Sequence, residues 1–204
     1  MFRIILEKKE NMLQSKYLTE DDLKDFGFKS IGKNVKISSD ARIYGQQNIS
    51  IGNNVRIDDF VTLSAFTGYI HIGNFVYIAR GCHLSGTMGI VLNDFCTLAA
   101  NNIIYSASDD YSGEFLTGQT LPKEYIKYLG GEVNLGKHVI IGSSVTILGP
   151  CKIGEGCSIG AKSLVLKDLD EWGIYVGMPV KRLKDRKKTL LELEKKFLNS
   201  LKQN

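Results

Sequence analysis

An aliphatic residue returns at every sixth position along most of this chain, and no other feature restricts the possible fold as much. The series opens with Ile31, Ile37 and Ile43 and continues with Ile51, Ile57 and Leu63, then Ile72, Ile78 and Leu84, then Leu92, Leu98 and Ile104. After a gap it resumes at Leu135, Ile141 and Ile147 and closes with Ile153, Ile159 and Val165. Five of the six groups follow their first aliphatic with glycine, at Gly32, Gly52, Gly73, Gly136 and Gly154. A fixed period of this kind marks a repeat architecture, in which each unit buries its apolar face against its neighbours.

The breaks in register narrow the geometry further. The steps from Ile43 to Ile51, Leu63 to Ile72, Leu84 to Leu92 and Ile104 to Leu135 exceed six by two, three, two and twenty-five residues. Each break follows a third hexad. Three hexads therefore close one turn, and one corner of the turn accepts insertions. A triangular prism of six coils, with short parallel strands as its sides, satisfies both conditions. The first hexad position points inward, and stacked copies bury one another at roughly 25 cal/mol per Å² of apolar surface. The fifth position also faces inward near a corner and should be small. It holds Val35, Ala41, Val55, Val61, Thr67, Val76, Val139, Val145 and Ser163, and all four cysteines, Cys82, Cys96, Cys151 and Cys157. With no C-x-x-C spacing, these cysteines read as small buried hydrophobes, not as disulfides or metal ligands.

The chain of 204 residues is long enough to bury a core, and its 43% hydrophobic and 24% charged residues suit a soluble globular protein. No apolar run approaches the roughly 18 residues of a membrane span. The stretch from Met1 to Lys9 is too short and charged for a secretory signal, so a cytoplasmic address is expected. The net charge of +4 owes much to Lys181, Arg182, Lys184, Arg186, Lys187 and Lys188. A nucleic-acid footprint would be stronger and interleaved with aromatics, so the cluster suits a phosphate-bearing cofactor better. Three segments follow. Residues 1–30 form a cap, in which Thr19 starts a short helix and Phe26-Gly27-Phe28 plugs the open prism. Residues 31–184 carry the coils, with a long insertion over 107–134 of the kind that usually serves function. In residues 185–204, Leu190, Leu193, Phe197 and Leu201 recur at helical spacing, giving a helix from Arg186 to Leu201.

Period six with Ile-Gly-x-x-Val-x units, from about residue 28 to 184, resembles the hexapeptide-repeat acyltransferases. The resemblance implies an all-β, left-handed parallel β-helix of about six coils, with an N-terminal helical cap and a C-terminal α-helix. It also implies a homotrimer whose subunits pack side by side, with the long insertion closing a groove between them. The implied activity is acetyl transfer from acetyl-CoA to a sugar or nucleotide-linked amino sugar destined for a surface polysaccharide. A sugar hydroxyl O-acetyltransferase of the galactoside or maltose type is the alternative, and a non-catalytic β-helix scaffold is an alternative from another class. Relatives that are carbonic anhydrases need three metal-binding histidines; His71, His83 and His138 fall on unsuitable hexad positions, so no metal is expected. Nucleotidyltransferase fusions need an N-terminal domain, for which thirty residues leave no room.

In the sugar O-acetyltransferases of this family the base is a histidine at the sixth position of the third hexad before the loop. That position is Asp109 here. A carboxylate with an ordinary pKa near 3.9 is a weak base for a hydroxyl, although Asp110 beside it could raise it by like-charge repulsion. An amine acceptor demands less of the base, which tilts the reading toward an amino sugar. His83 falls on a different corner, where it could meet Asp109 of a neighbouring subunit. His71 reads as a solvated corner residue and His138 as a surface residue. Tyr77, Asp110 and Tyr111 are the expected acceptor contacts. By resemblance to the family's late coil and Gly-x-Pro-Ala-Lys ending, Ser143, Ala161 and Lys167 line the cofactor groove, with Lys181 and Lys184 near the cofactor's phosphates.

Overall fold

The computed structural model describes residues 16–202; the charged stretch at the amino terminus lies outside them. The repeats form three parallel sheets that make the sides of a prism. The first side stacks the strands Ser30–Ile31, Ile49–Ile51, Ile70–Ile72, Ile90–Leu92, Val133–Leu135 and Cys151–Ile153. The second begins with Lys36–Ile37 and Arg56–Ile57, and the third with Arg42–Tyr44 and Thr62–Ser64. The architecture is an all-β, left-handed parallel β-helix.

Strand register places the first hexad positions in three continuous columns. Ile31 pairs with Ile51, Ile51 with Ile72, Ile72 with Leu92, Leu92 with Leu135 and Leu135 with Ile153. The second and third columns run the same way through Ile57 to Ile159 and Leu63 to Val165. Nearly every member is fully buried, the exceptions being Ile31 and Ile43 at the open end. Coils pack so closely that a Cβ at Gly32 would lie 2.5 Å from the backbone carbonyl of Gly52, which explains the glycine after the first aliphatic.

Two corners of the prism are turned by single residues with positive φ at the fourth hexad position. The first corner uses Asn34, Asn54, Phe75, Phe95, His138 and Gly156; the second uses Phe60, Gly81, Asn101, Ser144 and Lys162. Asparagine tolerates this conformation because its short polar side chain bonds locally, and Asn34 donates to Asn54 across the coils.

Several expectations require correction. The period runs on past Val165: Leu169 bridges to Ile153, and Tyr175 pairs with Ile159, both nearly buried. These begin a partial seventh coil, hidden because its insertion corner is two residues short instead of long. At the third corner the fifth position is buried at Cys151 but not at Thr67, which is exposed while Ala65 and Ile70 are buried instead. His71 lies in the strand Ile70–Ile72, not in a corner, with its side chain outward. The prism is plugged chiefly by Leu23, on the helix α1 (Glu20–Asp25), with Phe28 packed partly against the core; Phe26 is exposed. Thr19 caps α1 through a reciprocal bond with Asp22.

The C-terminal helix α2 spans Leu190–Leu201, beginning later than its periodicity suggests, because Lys181–Asp185 is an antiparallel strand paired with Gly173–Val176. The intervening Arg186 donates to the carbonyls of His138 and Gly156. Helix α2 then lies along the first corner. Phe197 packs edge-on to Phe75 and Phe95, and Glu194 accepts from Lys137 and pairs with His138 at 2.9 Å. His138 is therefore 7% exposed and not a surface residue.

Candidate active site

Most of the residues singled out in the sequence sort onto two edges of the third side of the prism, with Tyr77 and Lys184 on the second side. His83 opens the strand His83–Ser85, just past the second corner. Ser143 and Ala161 are exposed on that same corner two and three coils higher, and the Lys162 amide donates to the Ser143 carbonyl. Lys181 continues upward, paired with Val176 in the seventh coil. Asp109, Asp110, Tyr111 and Lys167 occupy the third corner, at the opposite edge. Lys184 pairs with Ile174, toward the other end of its strand from Lys181, and both lysines are exposed. Within one protomer His83 and Asp109 make no contact.

Burial pushes the His83 imidazole below its ordinary pKa, so the neutral, proton-accepting form is favoured. Its ring stands tilted against Tyr105, 5.4 Å between centroids.

The long insertion leaves the third corner as a hairpin. Ala107–Asp109 pairs antiparallel with Tyr128–Gly130, bringing Asp109 opposite Tyr128. The base of the hairpin is braced by Ser106, whose hydroxyl accepts from the Met88 amide and donates to the Ser85 carbonyl. Asp110 is buried and its carboxylate accepts from both the amide and hydroxyl of Ser112. Those bonds hold its carboxyl below the usual carboxylate range, the reverse of the mutual rise expected for adjacent aspartates. Inside this turn, Tyr111 stands 89% exposed.

Tyr77 belongs to a cluster that the sequence does not announce. Its hydroxyl donates to Asp58 at 2.7 Å, the Tyr17 hydroxyl donates to the same carboxylate at 2.9 Å, and Arg56 Nε donates at 2.7 Å. The Arg56 guanidinium lies over both tyrosine rings, 5.5 and 5.6 Å from their centroids. Partial burial would raise the Asp58 pKa, but the bonds from Tyr77, Arg56 and Tyr17 outweigh it and hold the carboxylate ionised. Residues separated by 19 and 41 positions become neighbours only once coil register is known.

All four cysteines are buried and unpaired. Burial pushes the Cys82 thiol up to about 11 and those of Cys96 and Cys151 up to about 12, so these cannot serve as nucleophiles near neutrality. Among the described residues no group of His, Cys, Asp and Glu could hold a metal ion, and no helix is long and apolar enough to cross a membrane.

A left-handed β-helix of hexads is the fold of the hexapeptide-repeat transferases, and similarity to known proteins places the chain among them. Residues 132–167 match the family described as bacterial transferase hexapeptide, six repeats. The chain is 44% identical over 181 residues, 89% of its length and 94% of the relative's, to dTDP-4-amino-4,6-dideoxy-D-glucose acyltransferase of Escherichia coli. It superposes with a TM-score of 0.88, at 46% identity over 93% of this chain and all of the other, on AntD, an N-acyltransferase from Bacillus cereus, in complex with dTDP and 3-hydroxybutyryl-CoA. A serine variant of AntD, in complex with dTDP-4-amino-4,6-dideoxyglucose and coenzyme A, matches at 47% identity over 92% of this chain and all of the other, with a TM-score of 0.88. A hexapeptide-repeat acetyltransferase from Vibrio cholerae shares the fold at 16% identity over 85% of each chain, with a TM-score of 0.58. The chain belongs to the hexapeptide-repeat acyltransferases.

Proposed function

We propose that the protein transfers an acyl group, acetyl or a short relative, from its coenzyme A thioester to the amine of a dTDP-linked aminodeoxy sugar. The likeness to relatives named for that sugar and solved with it supports the acceptor. The observation that carries the catalytic reading is the sorting of polar groups onto opposite edges of one side of the prism. A single protomer cannot bring His83 and Asp109 together, whereas a second protomer packed alongside can set the second corner of one chain against the third corner of the next. The working enzyme is then a homotrimer with three grooves, each incomplete in one chain.

In that groove the uncharged amine attacks the thioester carbonyl carbon. The nitrogen–carbon bond forms, the tetrahedral intermediate expels the coenzyme A thiolate, and the nitrogen loses a proton. Asp109, on the rim of the loop hairpin, is the proposed first acceptor of that proton, with the neutral His83 of the adjoining chain receiving or relaying it. The thiolate takes up a proton as it leaves. Asp110 fixes the turn that presents Tyr111 to the acceptor, and Tyr77 flanks it. Ser143 and Ala161 of one chain and Lys167 of the adjoining chain line the cofactor groove, with Lys181 and Lys184 near the phosphates. We assign the reaction to the cytoplasm, supplying an N-acylated sugar for a surface polysaccharide.

The test is thiol release from acetyl-CoA and 3-hydroxybutyryl-CoA with dTDP-4-amino-4,6-dideoxyglucose, the free amino sugar and dTDP-glucose. Turnover confined to the nucleotide-linked amine upholds the reading. Turnover of dTDP-glucose would make the protein a hydroxyl acyltransferase, and no thiol release with any acceptor would leave a scaffold.

A further inference from the structure

The insertion that carries Asp109 is tied to the prism at both of its legs, by different means. At the outgoing leg the Ser106 hydroxyl bonds to Met88 and Ser85, and the Gly131 amide donates to the Ser106 carbonyl. The return leg, Tyr128–Gly130, passes through Gly130 and Gly131, which have no side chain to anchor it, and rejoins the core at Val133. Glu132 stands between the glycines and Val133. One of its carboxylate oxygens accepts from the Asn134 side-chain amide at 3.0 Å, and the other accepts from the Tyr69 hydroxyl. Asn134 is itself held by Asn93, whose side-chain amide donates to it at 3.2 Å and to the Leu135 carbonyl at 2.7 Å. Tyr69 comes from two coils below, just ahead of the strand Ile70–Ile72. Its ring lies across the intervening coil at Gly89, where a Cβ would stand 2.6 Å from the ring carbon Cζ. The bond from Tyr69, joined by that from Asn134, holds the Glu132 carboxyl below the usual carboxylate range, so the acceptor is charged at neutral pH and the bond is of the stronger, charge-assisted kind.

We propose that Tyr69 and Glu132 are positioning residues for the reaction: their bond latches the return leg of the insertion to the prism and so sets where the hairpin holds Asp109. The inference rests on the catalytic role proposed above for Asp109 and deepens it. Asp109 pairs with Tyr128 across the hairpin, so a shift of the return leg is passed on to it. Misplacing a reacting group by about 1 Å is enough to cost on the order of 100-fold in rate. The core beneath the latch does not depend on it. Ile70 pairs with Ile90 and Ile90 with Val133, and all three are buried whether or not the hydroxyl above them is present. Tyr69 itself is 40% exposed, so its hydroxyl serves the insertion and not the column.

A double-mutant cycle on the full chain, read by steady-state kinetics with acetyl-CoA and dTDP-4-amino-4,6-dideoxyglucose, tests this directly. Tyr69→Phe keeps the ring over Gly89 and removes only the bond. It should lower kcat by about tenfold while the KM for acetyl-CoA stays within about twofold and the thermal midpoint hardly moves. Glu132→Gln, which still offers the hydroxyl an acceptor, should keep most of the activity, whereas Glu132→Ala should match Tyr69→Phe. In an Asp109→Asn background Tyr69→Phe should cost nothing further, because no catalytic carboxylate is left to position. Hydrogen exchange gives a readout independent of turnover: in Tyr69→Phe the amides of residues 107–130 should exchange about tenfold faster while the columns stay protected. Full activity in Tyr69→Phe, the same loss in both backgrounds, or unchanged exchange in the insertion overturns the latch. Full activity in Asp109→Asn alone overturns instead the role of Asp109 on which the latch rests.

Discussion

Along the first corner, Asn34, Asn54, Phe75, Phe95, His138 and Gly156 repeat one backbone conformation coil after coil. Along the third corner no two neighbouring turns need agree, because successive coils there gain two, three, two and twenty-five residues, gain none, and finally lose two. The first two corners share their turns with the columns of the core, so any added residue would shift a strand's inward face outward. The third corner is where that constraint is relaxed, and it is where Asp109 and its loop are placed. Stability resides in what repeats, and the proposed site joins the interrupted corner to the regular second one.

The sharpest break of this comparison is a cut in the column itself. Ile78→Ala, at a fully buried position, should cost about 2–5 kcal/mol of unfolding free energy in a denaturant titration. Asp109→Asn leaves every column intact and should lower kcat/KM by about 100-fold or more with little change in thermal midpoint. Replacing residues 111–126 by a short glycine turn, between the Asp110 amide and the Lys127 carbonyl that already pair, should abolish turnover while shifting stability by only about 1 kcal/mol. Folding that fails on loop removal would show that the third corner is also part of the scaffold.

A smaller effect concerns the helix lying on the first corner. The Glu194 carboxyl is partly buried, which opposes ionisation, yet its bonds to Lys137 and His138 hold its pKa below the ordinary value. A depressed carboxylate contributes stability above its unfolded pKa and loses it as pH falls through the folded value. Glu194→Gln should therefore cost about 1 kcal/mol at neutral pH and progressively less below about pH 4.5. In the proposed mechanism the depressed His83 pKa acts on rate instead. Activity should fall with acid only below the usual imidazole value of about 6.5, and His83→Ala should remove that limb of the pH profile.

The columns were legible because burial repeats every six residues, and the corner that takes insertions was legible because only there does the count fail. The partial seventh coil escaped because its corner is shortened, so Leu169 falls two positions early. His138 was read as exposed because its cover, Glu194, comes from 56 residues further on, and periodicity within hexads says nothing about which segment docks on them. The same holds for Arg56, Asp58 and Tyr77, whose meeting depends on register between coils. Asp109 was singled out because it departs from an expected residue type at a position defined by the repeat, and its role is a proposal.

The shared groove is tested most directly by co-assembling two strongly impaired chains, His83→Ala and Asp109→Asn. If each site takes His83 from one subunit and Asp109 from the next, randomly mixed trimers should recover about a quarter of the parent activity, the fraction of grooves in which both residues are intact. Mixed trimers that stay as inactive as either variant alone would contradict a site built between subunits.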